Sequence, residues 1–306
     1  MELALITVKQ VVVLFILIFA GFVCVKTKAV KMEGKKAFSD LLLYLIVPAM
    51  VINSYMMEFN AEILQNLLKA FGLSILLLFI GLLVTMVLTA KHKSPDLPIM
   101  RFACIFSNAA YMGFPLIQAL FGSEGLLYAS AFVTVYNILL WTAGYGIVSK
   151  KVRAKEVWRT IFTNPVLISV AAGLLIYLCQ IPVPDIIKQP ISLIGNMNTP
   201  LSMFITGMII TGSDIKGLVY NKNIWYIILV RQLVIPAVCF GVFSLFHVTG
   251  MAAQVVLLLE ACPSAAITSV FAVQFQYDEN LAAGAVVITT FLSILTLPVC
   301  AMLLTV

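Results

Sequence analysis

Asn108 and Pro263 stand in the middle of two apolar stretches, where neither residue favours an ordinary helix. The first stretch reads Phe106-Ser107-Asn108-Ala109-Ala110-Tyr111-Met112-Gly113-Phe114-Pro115, and the second reads Glu260-Ala261-Cys262-Pro263-Ser264-Ala265-Ala266. Pro has no N–H to donate and its ring clashes with the preceding turn, so each stretch is expected to be two half-helices joined by irregular backbone. Unpaired backbone cannot face lipid and must meet protein, water or a ligand, which forces a polar centre. Each second half-helix would then begin near the midplane with free N–H groups and the positive end of its dipole, a combination that favours an anion. Asn108 suits a helix cap and Pro263 the first helical position. The candidate substrate site is therefore Asn108, Ala109, Tyr111, Gly113 and Pro115 from one stretch with Pro263 and Ser264 from the other. Two ordinary kinks are the alternative, since Pro and Gly are common in membrane helices.

Glu260 lies about one turn before Pro263 and roughly 15 Å into its stretch. A carboxylate at that depth needs a partner or a proton. Two roles stay open: a carrier that binds H⁺ together with substrate, or a fixed partner for Arg231 in the preceding stretch. Asn196, Asn198 and Thr199, Gln118, Asn137 and Asn53 either line a pocket or bond between helices. His92 and His247 are expected on opposite sides of the membrane, so they share no metal or nucleophile, and no Gly-rich phosphate loop is visible. An enzyme, a metal site and a cofactor are not expected.

The elements that must position these residues follow from composition. Apolar residues are 62% of 306 and charged residues 10%, more apolar surface than a soluble core of this size hides. An all-α membrane protein is expected, with ten spans near 5–25, 38–57, 66–90, 98–121, 126–149, 161–180, 187–212, 224–246, 250–274 and 281–304. The first is read as a retained helix, because it begins with Glu2, is too long for a signal peptide's core and lacks a small-x-small cleavage site. The six cysteines sit inside apolar segments without metal or redox spacing and are read as packing residues.

Basic residues collect in alternate connections: Lys26, Lys28, Lys31, Lys35 and Lys36; Lys91, Lys93 and Arg101; Lys150, Lys151, Arg153, Lys155 and Arg159; Lys216 and Lys222. The other connections hold little more than Lys69 and Lys188. By the positive-inside rule the basic side is cytoplasmic and both termini lie outside, in an inner membrane. The net charge of +6 is thus a topology signal, and no nucleic-acid partner is expected.

The polar stretch from Lys150 to Thr160 divides the chain into repeats 1–150 and 151–306, five spans each and of opposite orientation. Pro48 matches Pro200, Asn108 lies opposite Pro263, and the turns Ser123-Glu124-Gly125 and Asp278-Glu279-Asn280 follow at matching distances. The expected architecture is a 5+5 inverted repeat with broken, crossing spans 4 and 9.

The run Ser107-Asn108 through Met112-Gly113-Phe114-Pro115-Leu116 to Phe121-Gly122 resembles the span 4 crossover motif of the auxin efflux carrier family. Val47-Pro48, Asn164-Pro165 and Pro263 are similar to its other landmarks, so the resemblance covers essentially the whole chain. It implies a scaffold of spans 1, 2, 6 and 7, a transport unit of spans 3–5 and 8–10, dimerisation, and an elevator-like motion. It also implies that Val47 and Pro48 lie near the substrate with Asn108. Plant auxin exporters carry an Asn where this chain has Val166, and a long central loop reduced here to about ten residues. The resemblance therefore implies a bacterial-type permease for malate or related mono- and dicarboxylates, coupled to H⁺ or Na⁺ or to neither. A cation/proton antiporter, a sodium-coupled symporter and an anion channel are the competing functions; the first lacks paired acidic residues at the crossing, and the last a selectivity ring.

Overall fold

The computed structural model describes residues 2–149, 158, 159, 162–212 and 221–304. The expected boundary at 150/151, and with it Lys150, Lys151, Arg153, Lys155, Thr160 and Lys216, lies outside the described residues. Every named element among the described residues is helical. In chain order these are α1 (Glu2–Lys26), α2 (Gly34–Leu41), α3 (Val47–Tyr55), α4 (Ala61–Leu88), α5 (Leu97–Ile105), α6 (Phe114–Leu139), α7 (Tyr145–Ser149) and α8 (Pro165–Cys179). They continue as α9 (Asp185–Asn196), α10 (Asn198–Thr211), α11 (Lys222–Ile228), α12 (Ile235–Leu245), α13 (Met251–Glu260), α14 (Ile267–Phe275) and α15 (Glu279–Leu303).

Among the described residues seven helical stretches are long and apolar enough to cross a bilayer: Leu5–Lys26, Gly34–Tyr55, Ala61–Leu88, Ala109–Ser149, Asp185–Thr211, Lys222–Leu245 and Glu279–Leu303. The chain is a multi-pass membrane protein. The difference from the ten expected spans has physical causes. Pro165–Cys179 and Met251–Glu260 are apolar but shorter, and α5 stops at Ile105 ahead of the irregular residues 106–108. The 41 residues of Ala109–Ser149 would reach about 60 Å as one straight helix. They are divided at Gly122, whose φ of 61° and ψ of −148° leave helical geometry, a conformation open to Gly because it has no Cβ.

Among the described residues four π turns punctuate the helices, at Leu42–Ile46, Ala109–Gly113, Leu140–Gly144 and Leu229–Val234. Three of them directly precede a helix with Pro at its start: Pro48 in α3, Pro115 in α6 and Pro236 in α12. A Pro cannot take part in the ordinary helical bond, and a widened turn relieves the clash with the carbonyl behind it. Sequence reading expects a break in the stretch that holds Pro115; the structure adds that the relief falls on the turn preceding the Pro, and that Pro48 and Pro236 follow such a turn as well.

Polar caps set several helix starts. Asn60 Oδ1 accepts from Glu62 N at 2.8 Å to open α4, and Asn164 Oδ1 accepts from Val166 N at 2.9 Å to open α8. Asp278 Oδ1 accepts from Leu281 N at 3.0 Å to open α15. Each supplies an acceptor for an N–H that the helix leaves unpaired.

α1 lies along α10, α3 packs on α8 and α9, and α4 packs on α6 and α13. The α1–α10 contact is close because small residues meet there: a side chain at Gly21 would collide with the backbone of Phe204, and one at Gly207 with that of Ile18. Large apolar side chains such as Ile16, Phe79 and Leu295 face outward, as a lipid solvent requires. Tyr55 of α3 and Ser130 of α6 share a buried hydrogen bond of 2.6 Å.

Candidate functional site

The two irregular stretches are bonded to each other. Asn108 N–H donates to the Pro263 carbonyl at 2.7 Å, Ala265 N–H donates to the Phe106 carbonyl at 2.9 Å, and Ser107 and Ser264 face each other in an antiparallel bridge. Backbone that each helix leaves unpaired is thus satisfied by the other, in an interior where Ser107, Asn108 and Ser264 are all buried. Ser264 is further fixed by its Oγ, which donates to the Ala103 carbonyl at 2.9 Å, and by its N–H, which donates to Thr289 Oγ1 at 3.0 Å.

Arg231 holds the other end of both stretches. It projects from the π turn before Pro236 and is fully buried. Its Nε donates to the Cys262 carbonyl at 3.0 Å. Nη1 donates to the carbonyls of Cys104 and Ile105, each at 3.2 Å, and to Glu260 Oε1 at 3.0 Å. Nη2 donates to the Glu260 carbonyl. These carbonyls close α5 and α13, where the last turn leaves acceptors unpaired, so one guanidinium, itself paired with Glu260, hydrogen-bonds the C-terminal ends of two helices. Gly81 of α4 makes room for the acid: a Cβ there would stand 3.1 Å from Glu260 Oε1.

Among the described residues no side chain caps the N-terminal ends beyond the bridge. Asn108 occupies the cap position ahead of the Ala109–Gly113 turn, and its carbonyl accepts from Met112 N at 3.0 Å and Gly113 N at 3.1 Å. Its side chain makes no capping bond, contrary to the expectation that Asn108 caps the half-helix. The cause is backbone geometry: ψ is 50°, outside the extended region that aims a cap side chain back at the helix. Pro263 also departs from expectation. It lies in the irregular segment, and α14 opens only at Ile267, so Pro263 supplies a bridging carbonyl and not the first helical residue. Ser107 Oγ, Thr268 Oγ1 and Ser269 Oγ are shielded from solvent and lack a hydrogen-bond partner.

The structure therefore gathers Asn108, Pro263 and Ser264 at one point, with Ala109, Gly113 and Pro115 on the turn and helix that follow. Tyr111 lies on the same turn, partly buried against the apolar core. Val47 and Pro48 belong to α3, and among the described residues no hydrogen bond joins that helix to the bridge. Asn137 is engaged structurally, donating to the Val133 carbonyl at 2.8 Å and accepting from Asn164 at 3.2 Å. Gln118 donates to Asn196 Oδ1 at 3.3 Å.

Two polar side chains escape the sequence reading. Thr268 and Ser269 follow the Pro263 break by about one turn, and a hydroxyl just after a broken helix is the only local signal for them. Asn198 is fully buried at the start of α10 with both carboxamide atoms unpartnered, which removes the interhelical hydrogen bond considered for it.

A body of lipid-facing helices with two interrupted segments bonded together in its interior places the chain among polytopic membrane transport proteins. A family profile described as membrane transport protein matches residues 6–301, and the chain belongs to that family, the auxin efflux carrier family. A protein named as an uncharacterized transporter in Methanocaldococcus jannaschii is 24% identical over 305 residues, 96% of this chain and 97% of the relative. Another protein of that name, from Methanothermobacter thermautotrophicus, is 23% identical over 201 residues, 65% of each chain.

Proposed function

We propose that the chain is a secondary carrier for small organic anions, of the mono- and dicarboxylate class that includes malate. The observation that carries this is the asymmetry about the Ser107–Ser264 bridge: Arg231, paired with Glu260, hydrogen-bonds the helix C-terminal carbonyls on one side, while the N-termini on the other lie beside unpartnered hydroxyls. The positive ends of two helix dipoles with free O–H donors suit a carboxylate. Asn108 with Ser264, Ala109, Gly113 and Pro115 form the core of the proposed site, extended by Ser107, Thr268 and Ser269. Tyr111 belongs to the same turn, and Val47 and Pro48 would join the site only after α3 moves relative to the bridge.

In this proposal the ten expected spans stand as a 5+5 inverted repeat whose broken spans are α5–α6 and α13–α14, crossing at the bridge. The grouping of α1 with α10 and of α3 with α8 and α9 supports a scaffold, and the packing of α4 on α6 and α13 supports a transport unit that slides against it. The protein sits in an inner membrane with both termini outside, as a homodimer. The geometry of Glu260 supports the fixed-partner role over the proton-carrier role, because its ionised form is held by a guanidinium that also organises the helix ends.

Counterflow in proteoliposomes tests the function. Internal malate should accelerate uptake of labelled malate with saturation. Flux that grows linearly with concentration and shows no exchange would mark a channel instead, and strict dependence on Na⁺ would mark a sodium-coupled carrier. A thermal-shift screen across mono- and dicarboxylates ranks the substrates, since a bound ligand raises apparent stability.

A further inference from the structure

A second polar site lies away from the bridge. A cavity of about 540 Å³ opens between the end of α3, the residue after the Gly122 kink and the first half of α9. Its polar lining is Asn53, Ser123, Asp185, Lys188, Gln189 and Ser192. α3 and α9 pack directly on each other, so both walls belong to the same pair of helices.

The cavity lies at the helix ends where α3 gives way to α4 and where α9 begins, the ends joined by the bonds of Tyr177 and Gln180 to Asn60 and Phe59. That is the side opposite the lysine-rich connection between α1 and α2, and by the positive-inside rule it faces outward. One turn beyond Ser192, α9 reaches Asn196, which accepts the amide of Gln118 from α6. α6 in turn begins at the turn after Asn108. The cavity and the bridge are thus two points along the same helices, separated by the Gln118–Asn196 contact.

Among the described residues Lys188 is not ion-paired, although Asp185 lies three residues away on the same helix. Asp185 has a role of its own, in the first turn of α9 where a carboxylate complements the helix dipole. An ammonium with no ion partner among the described residues, beside two amides and two hydroxyls, is a recognition set for a carboxylate or phosphate oxygen. With Asp185 in the same lining the net charge is zero, which allows Lys188 to attract an anion without trapping it.

We infer that this cavity is an outer docking station where an external organic anion binds to Lys188 before the Gln118–Asn196 contact opens towards Asn108. The inference rests on the organic-anion reading above, yet it is read by a separate observable. The wild-type protein in liposomes of neutral lipid is labelled with a membrane-impermeant amine-acetylating ester while malate is titrated outside, and modification of each lysine is quantified by mass spectrometry. Lys188 should lose more than half of its labelling, while exposed Lys69, held by the Thr249 carbonyl at 2.7 Å, keeps its own. Labelling of Lys188 that malate leaves unchanged overturns the docking station, whether or not the liposomes transport malate. Loss of counterflow with retained protection overturns the transport reading alone. A parallel series containing phosphatidylglycerol distinguishes a lipid headgroup: shielding that follows lipid composition and ignores malate also overturns the station.

Discussion

The guanidinium of Arg231 binds Glu260 twice, at the carboxylate over 3.0 Å and at the main-chain carbonyl, and both residues are fully buried. Because the same guanidinium also reaches Cys262, Cys104 and Ile105, the two partners are unequal. Removing Arg231 strands a carboxylate and leaves several carbonyls unpaired, whereas Glu260→Gln keeps an acceptor opposite Nη1 and leaves every main-chain bond in place. Breaking a buried pair by removing one partner costs about 3–5 kcal/mol. Arg231→Met should therefore lower the unfolding midpoint sharply, and Glu260→Gln should lower it by much less. Glu260→Gln should also retain any pH dependence of malate uptake seen in the wild type. Uptake that becomes independent of pH in this variant would restore Glu260 as a proton carrier.

Asn108 is the sharpest test of the central site, because its side chain makes no capping bond whose loss would confuse the result. Asn108→Ala should leave thermal stability nearly unchanged while raising the half-saturation concentration for malate about tenfold, equivalent to about 1.4 kcal/mol of binding. Equal affinity in variant and wild type, measured by initial-rate uptake, would remove Asn108 from the site.

Asn198 makes the opposite trade. Its carboxamide is buried with both polar atoms unsatisfied, an arrangement that costs about 1–3 kcal/mol for an unpaired group. Such a cost is retained where the group acts in another state of the protein. Asn198→Leu, of similar volume, should raise the unfolding midpoint in detergent and slow counterflow at saturating malate. A variant that is more stable and fully active would reduce Asn198 to a packing defect.

The legible parts of the structure were those that single residues dictate. Pro115 and Pro263 announce interrupted helices because Pro removes a donor wherever it stands, and both interruptions are present. The pairing of Glu260 with Arg231 was visible as one of two options, since burial of an acid leaves few. What escaped depends on backbone detail that residue types do not encode. Asn108 looks like a cap, but the angle imposed by the bridge turns its carboxamide away. The π turns before Pro48, Pro115 and Pro236 carry no sequence mark beyond the Pro itself. Thr268 and Ser269 look like ordinary hydroxyls that bond to the preceding helical turn; that they do not is a property of the fold.

Among the described residues three side-chain bonds from α6 reach the proposed scaffold: Tyr55 with Ser130 at 2.6 Å, Gln118 to Asn196 at 3.3 Å, and Asn164 to Asn137 at 3.2 Å. An elevator motion slides α6 along α3, α8 and α9, so these bonds must break in each cycle, whereas rearrangement confined to the bridge leaves them intact. Gln118→Cys with Asn196→Cys, in a background with the six native cysteines replaced, allows a short bifunctional maleimide to span the contact. Because the two side chains already meet, cross-linking should proceed without distorting the conformation described here. The cross-linked protein should still show a malate-induced thermal shift but no counterflow, and each single-cysteine control treated with the same reagent should transport. Transport that survives complete cross-linking would mean that α6 and α9 do not move apart, and the elevator would give way to a local gate between Asn108 and Pro263.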